Sequence, residues 1–201
     1  MRKPFTRRPN AVLATSALLG IVLTFTGCSS SPPVHFHTLV PPADAAEATG
    51  EEARITVENV TVPPQVDRTA LVLRSDRSQL QVLESDWWGA PLPQEIQSAL
   101  TVSLNPPQAR DSRVHAWINI TRFEAMRNDQ AWLDADIRLD NRDTEAQLKQ
   151  LNCTTRIRRQ AGPTVTDTVL AQQANIATLA DRIRAQAKRL LAGDDSCPPP
   201  V

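Results

Sequence analysis

Three stretches in the second half of this chain alternate apolar and polar residues with a period of two, and one long stretch after them repeats every three to four. "RVHAWINITRF" sets Val114, Ala116, Ile118 and Ile120 against His115, Trp117 and Asn119; "AWLDADIRLDNRD" does the same with Leu133, Ala135, Ile137 and Leu139. "QLNCTTRIRRQAG" places Leu151, Cys153, Thr155 and Ile157 on one parity. A strand sends successive side chains to opposite faces, whereas a helix returns to one face every three or four residues. These runs therefore require a sheet with one buried face and one wet or partnered face. The cover for that buried face is "TDTVLAQQANIATLADRIRAQAKRLLAG", where Ile176, Leu179, Ile183, Ala187 and Leu190 recur at helical spacing. It opens on a Thr/Asp capping candidate and closes with Lys188 and Arg189 before Gly193, as helix ends do.

The first half repeats the theme. "RITVENVTV" has Ile55 and Val57 on one parity and Val60 and Val62 on the other, which predicts a strand with a bulge near Glu58 and Asn59. "TALVLRSDRSQLQVLE" gives two apolar runs around a polar turn, a hairpin signal. In "APLPQEIQSALTVSL" the period changes: Leu92, Ile96, Ala99, Leu100 and Leu104 share a helical face, and Pro91 and Pro93 are tolerated in a first turn. Strands, helix, strands, helix predict an α+β domain over residues 54–193, with a largely antiparallel sheet of about five to six strands and two helices packed on one face. Residues 194–201 read as a non-helical tail.

The N-terminus concerns where the chain goes. "MRKPFTRRPN" carries four cations and no acid, and "AVLATSALLGIVLTF" carries no charge, the two leading regions of a secretory signal. The apolar run stops short of the roughly 20 residues that a spanning helix needs. It ends at Thr26-Gly27-Cys28, which resembles the lipobox of bacterial lipoproteins, although Phe25 stands where that motif prefers Leu. The resemblance implies cleavage after residue 27 and acylation of Cys28; Ser29, in place of Asp, implies the outer membrane. Residues 28–53, rich in Pro, Ser, Ala and acid, read as a flexible tether, within which "HFHTL" is a short strand or extended arm. Removing residues 1–27 leaves 22 − 4 = 18 Lys+Arg against 22 Asp+Glu, a net charge of −4. A mildly acidic domain in the periplasm is a poor nucleic-acid binder.

Enzyme motifs are missing: the chain has no G-x-S-x-G, no H-E-x-x-H and no P-loop. His35 and His37 have strand spacing for two metal ligands but no third ligand nearby, so a solvated arm reads better than a metal site. His115 has no nucleophile to activate and, with Trp117, reads as a surface or interface residue. "DADIRLDNRD" lacks the glycine of a calcium loop and fits the solvent face of a strand. No cofactor is implied. With Cys28 acylated, Cys153 and Cys197 remain as an even pair in an oxidising compartment, either bridged or, for Cys153, a buried thiol. Trp87 and Trp88 stand at the entrance of the first helix. Adjacent residues of an extended segment face opposite ways, so Trp88 is expected as a lid on the core and Trp87 as an exposed interface residue.

Order and spacing across the mature chain add a resemblance. "VTVP" at 60–63, "VDRTALVLR" at 66–74 with Asp67 and Arg68 opening and Arg74 closing it, and "WGAPL" at 88–92 with Trp88, Pro91 and Leu92 are similar to the paraquat-inducible protein C (PqiC) family, auxiliary lipoproteins of MCE-type lipid transporters. "FHTL" at 36–39 and the last helix agree in order, while His37 stands where that family usually has Tyr and Trp87 is an additional aromatic. The resemblance implies a non-catalytic outer-membrane subunit of an envelope-spanning lipid path. It would dock a periplasmic MCE-domain protein (PqiB-like), connect indirectly to an inner-membrane component, and assemble as a homo-oligomeric ring. A competing class is a lipoprotein that helps assemble another outer-membrane complex, such as a secretin or a lipopolysaccharide translocon.

Overall fold

The period-two runs form strands that share their apolar parity on one side. In a computed structural model, the described residues are 33–42, 53–105, 110–143, 145–147 and 149–199. Contacts divide the chain into two compact units, 1–33 and 34–201. Pro33 apart, the first unit lies outside the described residues, and with it Cys28 and the expected signal segment.

The second unit runs β1 (His35–His37), β2 (Ala53–Thr61), β3 (Ala70–Arg74), β4 (Leu80–Trp88), α1 (Leu92–Leu104), β5 (Arg110–Ala125), β6 (Gln130–Asn141), β7 (Gln150–Gln160) and α2 (Val165–Ala192). The strands make two mixed sheets, one in the order β2-β5-β6-β7 and the other β1-β4-β3. This corrects the expectation of one largely antiparallel sheet of five to six strands. Between β2 and β5 the chain builds β3, β4 and α1, so it returns to the same end of the sheet and β5 lies parallel to β2. The β3–β4 hairpin takes its third strand from β1, which pairs in parallel with β4. Alternation shows which face of a strand is buried, but it does not name the strand's neighbour.

Both helices cover the buried face of the four-stranded sheet, α1 over β2 and α2 over β6 and β7. The apolar stripes expected of them, Leu92, Ile96, Ala99, Leu100 and Leu104 in α1 and Ile176, Leu179, Ile183, Ala187 and Leu190 in α2, are all buried. Three buried amides on α2 add polar bonds to the sheet: Gln172 donates to the Glu124 carbonyl (2.8 Å), Asn175 to that of Ala131 (3.2 Å) and Gln186 to that of Leu151 (3.0 Å). The cap of α2 lies slightly upstream of the quoted run, where Thr164 and Asp167 form a reciprocal capping box. Gly193 closes the helix at φ 76°, a conformation that glycine adopts without strain. Beyond it, Cys197 is joined to Cys153 by a disulfide, which holds the tail against β7.

Candidate functional site

The outward face of the four-stranded sheet carries paired aromatic and cationic side chains. Trp117 on β5 lies opposite Arg138 on β6, whose guanidinium carbon sits 4.2 Å from the ring centroid. Arg122 covers Trp132 in the same way at 4.5 Å. Guanidinium groups stacked on indoles hold both partners flat on the sheet while leaving edges and remaining N–H donors available. His115 lies beside Trp117, with 6.4 Å between ring centroids, and its Nδ1 is hydrogen-bonded to Glu58 on β2. Toward the β7 edge, Arg122, Trp132, Asp134, Arg156, Arg158 and Arg159 line an open hollow of about 750 Å³. Four guanidiniums against one carboxylate give this corner a positive character in a chain whose expected mature charge is negative.

Glu124 links this face to the smaller sheet. Its two oxygens accept from Arg74 Nη2 (2.6 Å) and Nε (3.1 Å), and Arg122 Nε adds a third bond at 2.9 Å. The hydrogen bond from Arg74, aided by Arg122, holds the Glu124 carboxyl below its ordinary value against the opposing effect of burial. The Arg74 guanidinium is raised in turn, chiefly by the same hydrogen bond. Arg74 also donates to the Asp76 and Arg77 carbonyls, so one side chain closes the β3–β4 turn and ties the two sheets together. Asp67 and Arg68 are exposed in the turn before β3, where their backbone N–H groups bond to the Pro64 and Val66 carbonyls. Pro91 caps α1 with its carbonyl, and Leu92 is buried behind it.

The two tryptophans diverge: Trp88 is 6% exposed and meets Phe123 edge to face, whereas Trp87 is 38% exposed and meets Phe36 on β1. Residues 34–40, assigned to the tether from sequence, run as part of the folded unit. His37 Nε2 bonds Asp86, Gly89 N–H donates to the His37 carbonyl, and Gln173 donates to that of Thr38. The residue that fixes this arm was not singled out from sequence. Glu95 on α1, 6% exposed, accepts at Oε2 from both Thr38 Oγ1 and Leu39 N–H at 2.9 Å. Gly89 leaves the room for it, since a Cβ there would lie 3.0 Å from Glu95 Oε1. A signal was present, because Glu95 sits three residues after Leu92 on the apolar stripe. Trp132 and Glu124 were likewise missed: Trp132 lies on the outward parity of β6, which pattern reading assigns to solvent, whereas Glu124 shares the even parity of Val114, Ala116, Ile118 and Ile120 and turns outward only because the register shifts between Ile120 and Arg122.

Residues 37–184 match the family model described as the ABC-type transport auxiliary lipoprotein component. The chain belongs to that family. Among solved structures, the auxiliary lipoprotein shares its fold with a protein titled only as uncharacterised, at a TM-score of 0.63 and 13% identity over 78% of this chain and 99% of that one. It is similar also to XCC0632 of Xanthomonas campestris, assigned to DUF330, at a TM-score of 0.56 and 14% identity over 79% and 98%. No curated protein sequence matches it. Among the described residues, no helix of the auxiliary lipoprotein is long and apolar enough to cross a membrane, and no three His, Cys, Asp or Glu side chains are grouped as metal ligands would be.

Proposed function

We propose that the protein is an outer-membrane lipoprotein, acylated at Cys28, that docks the periplasmic MCE-domain subunit of an envelope-spanning lipid transporter and so supports membrane integrity. The family match over most of the chain carries this reading. The outward sheet face supports it: Trp and Arg are the residue types most enriched where protein partners bind tightly, and here they are stacked in pairs on a rigid sheet. In this reading Trp117, His115 and Arg138 belong to the docking surface, and a homo-oligomeric ring presents several such surfaces to one tunnel. The test is affinity capture of the full-length protein from crosslinked envelopes. An MCE-domain protein should be recovered with the wild type and lost with Trp117→Ala, while both proteins unfold at the same denaturant midpoint. Recovery of a secretin or a lipopolysaccharide translocon instead would transfer the protein to the assembly-factor class.

A further inference from the structure

Eight large hydrophobic side chains are exposed among the described residues, and five of them, Val34, Phe36, Leu80, Val82 and Trp87, lie on β4, on β1 or immediately before it. The register puts them together. Trp87 is opposite both Phe36 and Ala70, Val82 is opposite Val72, and Leu80 is opposite Arg74, while Leu71 and Leu73 turn inward and are buried. Val34 shares the parity of Phe36, which is 69% exposed. The outer face of the three-stranded sheet thus gathers exposed apolar side chains on one side, with Phe36 and Trp87 in contact at the β1 edge and Val82 and Leu80 further along β4.

We infer that this face rests in the interfacial layer of the bilayer. The inference depends on acylation of Cys28, as in the preceding reading, because the chain length then selects the occupant. Only 34 − 28 = 6 chain steps lead from Cys28 to Val34, at most about 22 Å of extended chain. A unit of 201 − 33 = 168 residues is about 40 Å across. The leash is too short to let the bilayer reach the far side, so the surface nearest the acyl chains is the one that carries Val34, Phe36 and Trp87. Its composition suits that position: Trp87 and Phe36 pack edge to face, and the indole N–H is already bonded to the Glu84 carbonyl, so the ring can leave bulk water without losing a hydrogen bond. The exposed carboxylate of Glu84 beside them favours a zwitterionic surface over an anionic one.

The experiment reconstitutes the full-length acylated protein into phosphatidylcholine vesicles containing a lipid brominated on its acyl chains, a short-range quencher of indole emission. Wild-type emission should be quenched, Trp87→Phe should lose most of that quenching, and Trp117→Phe should keep it. Since Phe36 is exposed, a photoreactive phenylalanine there leaves the fold intact, and it should crosslink to lipid. Quenching unchanged in Trp87→Phe, or capture at position 36 of a second copy or another protein, overturns the inference while leaving the transport reading standing. A mature N-terminus without acyl chains, read by mass spectrometry, overturns both.

Discussion

Glu95→Ala should release the N-terminal arm without unfolding the sheet. Two hydrogen bonds to one carboxylate oxygen are lost, each of the charged class that contributes about 1.5–3 kcal/mol, and the buried Leu39 N–H is left without an acceptor. Against this, a carboxylate no longer has to be held out of water, which offsets part of the loss. The net effect is about 3 kcal/mol, similar to what burying the Leu39 side chain contributes. Because the arm's remaining attachments are the short β1 ladder and the bonds of His37, Thr38 and Gly89, the cost is expected to appear as local opening. Gly89 N–H reports it, since it donates to the His37 carbonyl at 2.9 Å and that bond survives the substitution. Its hydrogen exchange should accelerate on the order of a hundredfold, because each 1.4 kcal/mol is a factor of ten. Glu95→Gln keeps an accepting oxygen and should accelerate exchange far less, by about fivefold for about 1 kcal/mol. A Gly89 amide as protected in Glu95→Ala as in the wild type, with an unchanged denaturant midpoint, would refute the assignment of Glu95 as the lock.

Acid should act through Glu124. Its folded-state pKa lies below the ordinary 4.5, so the stability it contributes is fully present above that value and is lost as pH falls through the depressed one; in urea melts between pH 6 and pH 3, Glu124→Gln should flatten the acid limb. That flattening will be partial, because Asp76, Asp143, Asp167 and Asp194 are depressed as well. Reducing the Cys153–Cys197 bridge, which spans 44 residues, should cost about 4 kcal/mol by loop entropy; melts with and without reductant measure it, and non-reducing peptide maps should recover the two peptides linked. Trp88→Ala should destabilise the fold by about 3 kcal/mol or more, whereas Trp87→Ala should stay within about 1 kcal/mol of wild type. Equal midpoints for the two variants would make the pair a single cluster.

The apolar stripes of both helices and the inward parity of β5, β6 and β7 were legible in the sequence, because burial on one face imposes a period that single residues reveal. Strand partnership was not, since Ile55 and Val57 read the same whether β5 runs parallel or antiparallel to them. Membership of β1 in a sheet was hidden for a different reason. Three residues carry no period, and what holds them and the Thr38–Leu39 pair after them is distant: Asp86 and Gly89 at His37, Glu95 and Gln173 at Thr38 and Leu39. On the outward face, Trp117 and His115 could be nominated, but the stacking of Arg138 and Arg122 on indoles depends on cross-strand register. The hub at Glu124 depends in addition on a second sheet. Polar residues at alternate positions of a strand read simply as solvent-facing until a neighbour is placed beside them.

The parallel pairing of β1 with β4 also has a mechanical side. Tension that enters the folded unit from before Val34 pulls along β1, and because β1 runs parallel to its partner strand β4, it loads the ladder in shear, so the bonds between residues 35–37 and 86–88 share the force and do not open one after another. Behind that ladder, the next attachments to take the load are Glu95 and Gln173, which grip Thr38 and Leu39 from two different helices. A domain dragged from its N-terminal side would therefore yield first at a short, well-defined clamp, before the joint of Arg74 and Glu124 between the two sheets is broken.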